Sequence, residues 1–256
     1  MTERFERAWI FEEALRDRCA DRLEAARSAT AVFTSSLPRV WDLNMLRVEH
    51  DEGLRAAELA AEAERVQGSA GLGHRRVYVP VEGLGARLSP GFRELGWKED
   101  RFLLMECLQA AGDLRAPEHA SEVDHGAIVP LRTHEQHTLG AERDAETIEQ
   151  LLDWGGRRAE AGRARHFAAF AAGEPVACAD LYSNGVTAQI EDVYTRPDHR
   201  GRGLASAIVL RAAEEARGAG QDLIFLVADY DDWPKELYRR LGFAPLGQMH
   251  AFLMAP

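Results

Sequence analysis

The chain has 256 residues, 46% of them hydrophobic and 29% charged, with a formal net charge of −11. That length exceeds a usual single domain and predicts two modest ones, while the acidic balance argues against a grip on nucleic acid, whose affinity comes mostly from neutralising phosphates. No apolar run approaches the roughly 20 residues that span a bilayer, and MTERFERAWIFEEALRDRCADRLEAARS reads as charged helix rather than a signal peptide, so a cytoplasmic protein without membrane contact is expected. Cys19, Cys107 and Cys178 lie far apart, with no zinc or disulfide spacing. They are expected to be reduced and buried.

In chain order, the opening helical pattern runs to Ser28 and WDLNMLRVE (41–49) reads as a strand. GLRAAELAAEAERVQG (53–68) follows as helix, HRRVYVP (74–80) as strand, FRELGW (92–97) as the end of a helix, and RFLLMEC (101–107) as strand. Residues 110–124, AAGDLRAPEHASEVD, are small, polar and without periodicity, which makes 113–124 a linker between domains at 1–112 and 125–256. Beyond it GAIVPLRT (126–133) reads as a strand and residues 134–162 as one helix. RHFAAFAAG, EPVACADLYSNG and VTAQIEDVYT are then three strands between residues 165 and 195.

The stretch PDHRGRGLAS (197–206) comes next and opens a helix over Gly203 to Arg217, whose apolar stripe is Ala205, Ile208, Val209, Ala212 and Ala216. Leu223 to Ala228 is a continuous apolar run, short enough for a strand buried on both faces. Asp231, Asp232 and Pro234 start a last helix, packed through Leu237 and Leu241 and stopped by Gly242. YRRLGF (238–243) matches FRELGW 146 residues earlier, and each precedes a strand-like run. The order strand, helix, strand, helix, strand is therefore repeated.

A strand that runs through a glycine-rich turn into a helix gathers unpaired backbone N–H groups at the positive end of the helix dipole, a setting for an anionic phosphate. Gly201 and Gly203 let a ligand approach the backbone, and Arg200 and Arg202 add charge-assisted donors. A solvated helix N-terminus is the plainer reading of the same residues. Neither GxxxxGK[ST] nor GxGxxG is present, so this is neither a P-loop nor a dinucleotide fingerprint.

The stretch IEDVYTRPDHRGRGLASAIVLRAAEEA, with the buried strand and DDWPKELYRRLGF after it, resembles the GNAT superfamily of acyl-coenzyme A dependent acetyltransferases. Arg200, Gly203 and Ala205 match that family's pyrophosphate signature, Pro197 its upstream proline, and Tyr238, Leu241, Gly242 and Phe243 its closing helix. The resemblance covers about residues 125–256 and implies a mixed α/β fold of two GNAT-like acyl-CoA N-acyltransferase domains in tandem, the first degenerate. It implies acetyl-CoA as co-substrate, no metal, and a small-molecule or peptide amine as acceptor, and it leaves a homodimer open. Arg200, Gly201, Arg202, Gly203, Leu204 and Ala205 would hold the pyrophosphate, with Val193 and Thr195 along the pantetheine arm. Asp231 stands where many members have a coenzyme-contacting asparagine, and an ionised carboxylate cannot donate.

By the same resemblance an amine attacks the thioester directly. Strand alternation places Gln189, Glu191, Val193 and Thr195 on one face, which makes Glu191 the general base, with Asp192 in its place should the strand bulge. Tyr238 is the general acid for the departing thiolate. His166 and His250 show no partner in the sequence and read as structural, His199 as a phosphate contact or solvated residue, and Trp233 as packing. In the first half HDEG (His50, Asp51, Glu52, Gly53) replaces the glycine turn, and two carboxylates at a helix N-terminus would repel a pyrophosphate. A different class of function stays in play: a non-catalytic acyl-CoA binding or sensing module acting through a protein partner.

Overall fold

The computed structural model describes residues 2–51, 53–81, 83–110, 120–139 and 143–255. It divides into two compact units that do not follow the expected boundaries. Unit 1 takes residues 1–104 together with 228–232 and 246–256; unit 2 takes 105–227 and 233–245. Most of the expected linker, residues 113–119, lies outside the described residues, and its last part, 120–123, is a strand.

Unit 1 opens with helix α1 (Glu3–Cys19), capped by Thr2, whose Oγ1 accepts the Phe5 N–H at 3.3 Å. The helix ends at Cys19, short of the expected Ser28. Its buried stripe Phe5, Ala8, Phe11, Leu15 and Cys19 stops there, and a hairpin of β1 (Arg22–Ala25) and β2 (Ala29–Phe33) follows. Strand β3 (Met45–Val48), helix α2 (Ala56–Ser69), β4 (Arg75–Val79), α3 (Leu84–Glu94) and β5 (Lys98–Cys107) occur in the expected order. The sheet runs β1-β2-β3-β4 and is continued by the chain's last strand, β11 (Phe243–Met254). Its His250–Met254 pairs antiparallel with Val79–Arg75 of β4. Phe252 is fully buried and stacks on Phe92, ring centroids 4.1 Å apart, within a core that includes Leu46, Val48, Leu59 and Val77.

Unit 2 consists of β6 (Ala120–Val123), helices α4 (His125–Leu139) and α5 (Ala145–Gly162), strands β7 (Arg165–Ala171), β8 (Glu174–Ser183) and β9 (Thr187–Thr195), helix α6 (Leu204–Gly218), β10 (Leu223–Asp229) and α7 (Pro234–Arg240). GAIVPLRT is thus helical, not a strand. Ile128 and Leu131, one helical turn apart, are both buried, and Pro130 is accommodated inside the helix. The single helix expected over 134–162 is two helices, α4 and α5, the second capped by Asp144, whose Oδ1 accepts the Thr147 N–H at 2.8 Å. The strands are ordered β6-β7-β8-β9-β10, antiparallel from β6 to β9 and parallel between β9 and β10. Helix α6 buries Ala207, Ile208, Val209, Ala212, Ala213 and Ala216, so its packed stripe is broader than the spacing predicts.

Candidate active site

Strands β9 and β10 pair in parallel register from Leu223↔Thr187 to Leu226↔Ile190. Strand β9 continues to Thr195 and bulges on the way: Asp180 of β8 faces Glu191, while Cys178 faces Tyr194. The extra residue is taken up at Asp192, which adopts a positive φ of 53°. Simple alternation therefore fails beyond Glu191, and Asp192 does not sit opposite its neighbours as the sequence implied. Such a bulge re-aims side chains; the pairing with β10 runs only as far as Ile190, and Val193 and Thr195 beyond it are both half-buried.

The strand leads through a short 3₁₀ turn (Pro197–His199) into the glycine segment. Gly201 and Gly203 have φ of 74° and 77°, in the left-handed region that a side chain resists, and Gly203 caps α6. A Cβ at either position would meet nothing within 4 Å, so backbone conformation and not crowding requires glycine. Arg200 Nε donates to the Thr195 carbonyl at 3.2 Å and Arg202 Nη2 to the Asp198 carbonyl at 3.2 Å, which fixes both side chains against the turn. Arg200, Gly201, Arg202 and Gly203 are exposed, Ala205 half-buried and Leu204 buried. The first-turn N–H groups of α6 have no intrahelical partner. Thr195 Oγ1 and His199 Nδ1 are buried polar atoms without a hydrogen-bond partner beside this turn.

Tyr238 is 8% exposed on α7, whereas Leu237 and Leu241, expected to form the packed stripe, are only half-buried. Burial, and then the charge of Glu191, push its phenol well above its ordinary value, so it keeps its proton at neutral pH. Tyr238 and Glu191 are therefore within electrostatic reach of one another. Glu191 accepts a hydrogen bond from Gln189 Nε2. Asp231 belongs to unit 1, where Arg101 Nε donates to its Oδ2 at 3.0 Å. Trp233 is 61% exposed, more than the packing role expected of it implies.

Between α4, α5 and the sheet of unit 2 lies a cavity of about 250 Å³ that no local sequence pattern announces. It is lined by His125, Arg132, Trp154, Arg158, Asp180 and Asp192, with aliphatic side chains between them. Arg158 lies over the Trp154 ring (5.0 Å to the centroid) and the Tyr182 ring (5.5 Å), and its Nη2 pairs with Asp192 Oδ2. Arg132 sits 3.1 Å from both Glu135 and Asp180 and donates to the Asp192 carbonyl. Burial opposes the charge of Asp192, but Arg158 and Arg132 outweigh it and hold its carboxyl below the usual range. Glu135 moves the other way, raised by burial despite Arg132.

His166 is not isolated: its Nδ1 lies 2.7 Å from Asp180 Oδ1 and its Nε2 3.3 Å from His125 Nδ1. In unit 1, His250 Nδ1 lies 2.8 Å from Glu99 Oε1, and a Cβ on Gly85 would meet the His250 ring at 2.3 Å. The one sequence signal for these pairings was register. His166, Asp180 and Glu191 are directly opposite one another across β7, β8 and β9, and so share a face. Cys178 is buried and its thiol is pushed up to about 12, chiefly by desolvation, which leaves it unreactive. Among the described residues no group of three His, Cys, Asp or Glu side chains converges as a metal site.

A mixed sheet with two helices ahead of its second strand, a bulged fourth strand parallel to the fifth, and a glycine-capped helix between them give unit 2 its α/β architecture. Residues 128–243 match the model of the acetyltransferase (GNAT) family. Similar solved structures include a conserved protein of unknown function from Staphylococcus epidermidis (16% identity, 91% of this chain and 93% of that one, TM-score 0.72). A GCN5-related N-acetyltransferase from Kribbella flavida has 21% identity over 100% of this chain and 96% of its own, with TM-score 0.64. A tandem GNAT protein from the clavulanic acid biosynthesis pathway has 16% identity over 82% and 74%, with TM-score 0.55. At these identities the likeness is one of fold. Comparison with curated proteins finds no match. No helix among the described residues is long and apolar enough to cross a membrane.

Proposed function

We propose that the protein transfers an acetyl group from acetyl-CoA to a primary amine by direct attack. The observation that carries this reading is the conjunction, in one unit, of the β9 bulge, the glycine-capped start of α6 and the Glu191–Tyr238 pair. The residues present suit the coenzyme: two arginines at a helix N-terminus answer a pyrophosphate, and the buried, unpartnered Thr195 Oγ1 and His199 Nδ1 beside them offer further polar contacts. Arg200, Gly201, Arg202, Gly203, Leu204 and Ala205 would hold the pyrophosphate, and Val193 and Thr195 would line the pantetheine arm. Asp231, tied to Arg101, is the least suited of the expected contacts. Bound there, acetyl-CoA supplies a thioester carbonyl open to an amine.

Glu191 accepts the proton that the amine nitrogen must lose, and the Gln189 amide orients it. Asp192 cannot serve in its place while two arginines stabilise its charge. Tyr238, held protonated by burial and by Glu191, is the donor for the departing sulfur. The test is thiol release from acetyl-CoA across a panel of amines, for the native chain and for Tyr238→Phe. The variant is expected to turn over about ten-fold more slowly or worse, with coenzyme affinity little changed. Equal turnover removes Tyr238 from the mechanism; coenzyme binding without release under any amine replaces the enzyme with a binding module.

A further inference from the structure

Beyond Glu191 and Tyr238, unit 2 contains a second set of hydrogen-bonded titratable groups that ends in the cavity: Asp180, His166 and His125. Their order fixes the tautomers. Asp180 is acceptor-only when ionised and has Arg132 Nη2 3.1 Å from its Oδ2, so its Oδ1, 2.7 Å from His166 Nδ1, receives that ring's proton. Neutral His166 then presents a lone pair on Nε2, and the only proton that can fill the 3.3 Å separation is the one on His125 Nδ1. His125 is left with a bare Nε2. Asp180 and His166 are buried, at 5% and 7% exposed, while His125 is exposed and lines the cavity that also contains Asp192, next in sequence to Glu191.

We propose that His125, oriented by His166 and Asp180, is a proton acceptor for an acceptor substrate that arrives as an alkylammonium ion. This deepens the acetyl-transfer reading and rests on it. The substrate R–NH₃⁺ gives one proton to His125 Nε2 and becomes R–NH₂, and the resulting imidazolium is stabilised through His166 by the Asp180 carboxylate. The free amine attacks, its nitrogen loses a second proton to Glu191, and the departing sulfur takes one from Tyr238. Two protons leave the nitrogen and one reaches sulfur, so one is released to solvent per turnover. The division of labour answers a physical need, since an alkylammonium has no lone pair at neutral pH and cannot attack a carbonyl.

Other charges face this chain of groups. Arg132 and Glu135 come from α4, Arg158 from α5 and Asp192 from β9. On the strand side Glu122 of β6 is paired to Arg165 of β7 at 2.8 Å, with Glu215 of α6 on the same arginine at 2.7 Å. Together with Asp180 these carboxylates outnumber the arginines, which leaves the cavity able to admit a cation.

The test uses the full chain and His125→Gln, which keeps a polar side chain at an exposed position. With an alkylamine, kcat/KM of the variant is expected to fall about 10- to 100-fold near pH 7, and the deficit to shrink as the pH is raised and the amine loses its own proton. Methoxyamine, which is already uncharged at pH 7, should remove most of the difference. A deficit equal for both amines and flat with pH overturns the proposal, as does an unchanged alkylamine profile. A readout independent of turnover is the ¹⁵N spectrum of histidine-labelled protein, with the His125 signals assigned by their loss in His125→Gln. A bare Nε2 and protonated Nδ1 on His125, with that preference lost in His166→Gln, support the relay; an Nε2–H tautomer refutes it. Absence of thiol release from the native chain with every amine defeats the acetyl-transfer reading instead, and the nitrogen shifts still decide the relay.

Discussion

Replacing Asp192 by asparagine separates the two carboxylates that β9 offers as a base. Asparagine tolerates the left-handed φ of 53° about as well as aspartate, so the bulge itself is not in question. What is lost is the charge facing Arg158, a guanidinium whose side chain is 16% exposed and stacked on Trp154 and Tyr182. Breaking a buried ion pair from one side costs about 3–5 kcal/mol. The Asp192 side chain is 33% exposed, and solvent screening brings the expected loss nearer to about 2 kcal/mol. The sign with pH follows from the lowered carboxyl: its contribution is present above the unfolded value, about 3.9, and is lost as pH falls through the still lower folded value. Urea unfolding at pH 7 and pH 5 should therefore show the same deficit, with the native and variant curves converging only under strongly acid conditions. Glu191→Gln provides the contrast, with turnover lowered about 100-fold or more at little cost in stability. A stability loss under about 0.5 kcal/mol for Asp192→Asn, the size of an ordinary surface change, together with abolished turnover, would refute the assignment and make Asp192 the base.

Two further outcomes are expected. Phe252→Ala should destabilise unit 1 by about 3–5 kcal/mol, read from the fluorescence of Trp97, which lies 5.1 Å from Phe92 in the same core; a loss below about 1 kcal/mol would mean that β11 does not complete that core. Calorimetric titration with coenzyme A should give one site per chain, weakened about ten-fold in Gly203→Ala by left-handed backbone strain of about 1–2 kcal/mol; a second site of similar affinity would contradict the reading of unit 1.

Most elements of both units were legible because their periodicity is strong. The 204–218 helix and the apolar run from Leu223 need no tertiary information, and the YRRLGF and FRELGW repeat announced the shared order of elements. The errors have physical causes. GAIVPLRT contains an apolar run, suggestive of a strand, and a proline, which disfavours a helix interior, and only burial of Ile128 and Leu131 against the sheet makes it helical. Strand β1 is exposed along its whole length and carries no hydrophobic pattern to betray it. That β11 pairs with β4, about 170 residues earlier, is a property of topology that no local window contains.

The candidate site divides along the same line. The glycine turn was readable because its chemistry is local: φ, backbone N–H groups and a helix start all lie within a few residues. The cavity was not, because Arg132, Arg158, Asp180 and Asp192 come from four elements and acquire meaning only through pairing. His166 was set aside as structural since its partners, His125 and Asp180, are 41 and 14 residues away. A register prediction for β7 and β8 would have put Asp180 beside it, but not His125.

The contrast between the two glycine-preceded helices then becomes an electrostatic one. Of the expected pair of carboxylates only Asp51 is described at the head of α2. Glu52 lies outside the described residues, and Asp51 is drawn aside to the Gly53 N–H and to Arg87. The helix begins later, at Ala56, with Arg55 at its cap and Glu58 in its first turn accepting the Arg55 N–H at 3.1 Å. A carboxylate already occupies the positive end of that dipole and competes with any incoming anion. Helix α6 has Gly203 at its cap and no acidic residue in its first turn, so its free N–H groups and dipole remain for an anion, with Arg200 and Arg202 nearby. One chain, built on the same succession of elements twice, thus has a helix start open to an anion in unit 2 and a self-satisfied one in unit 1.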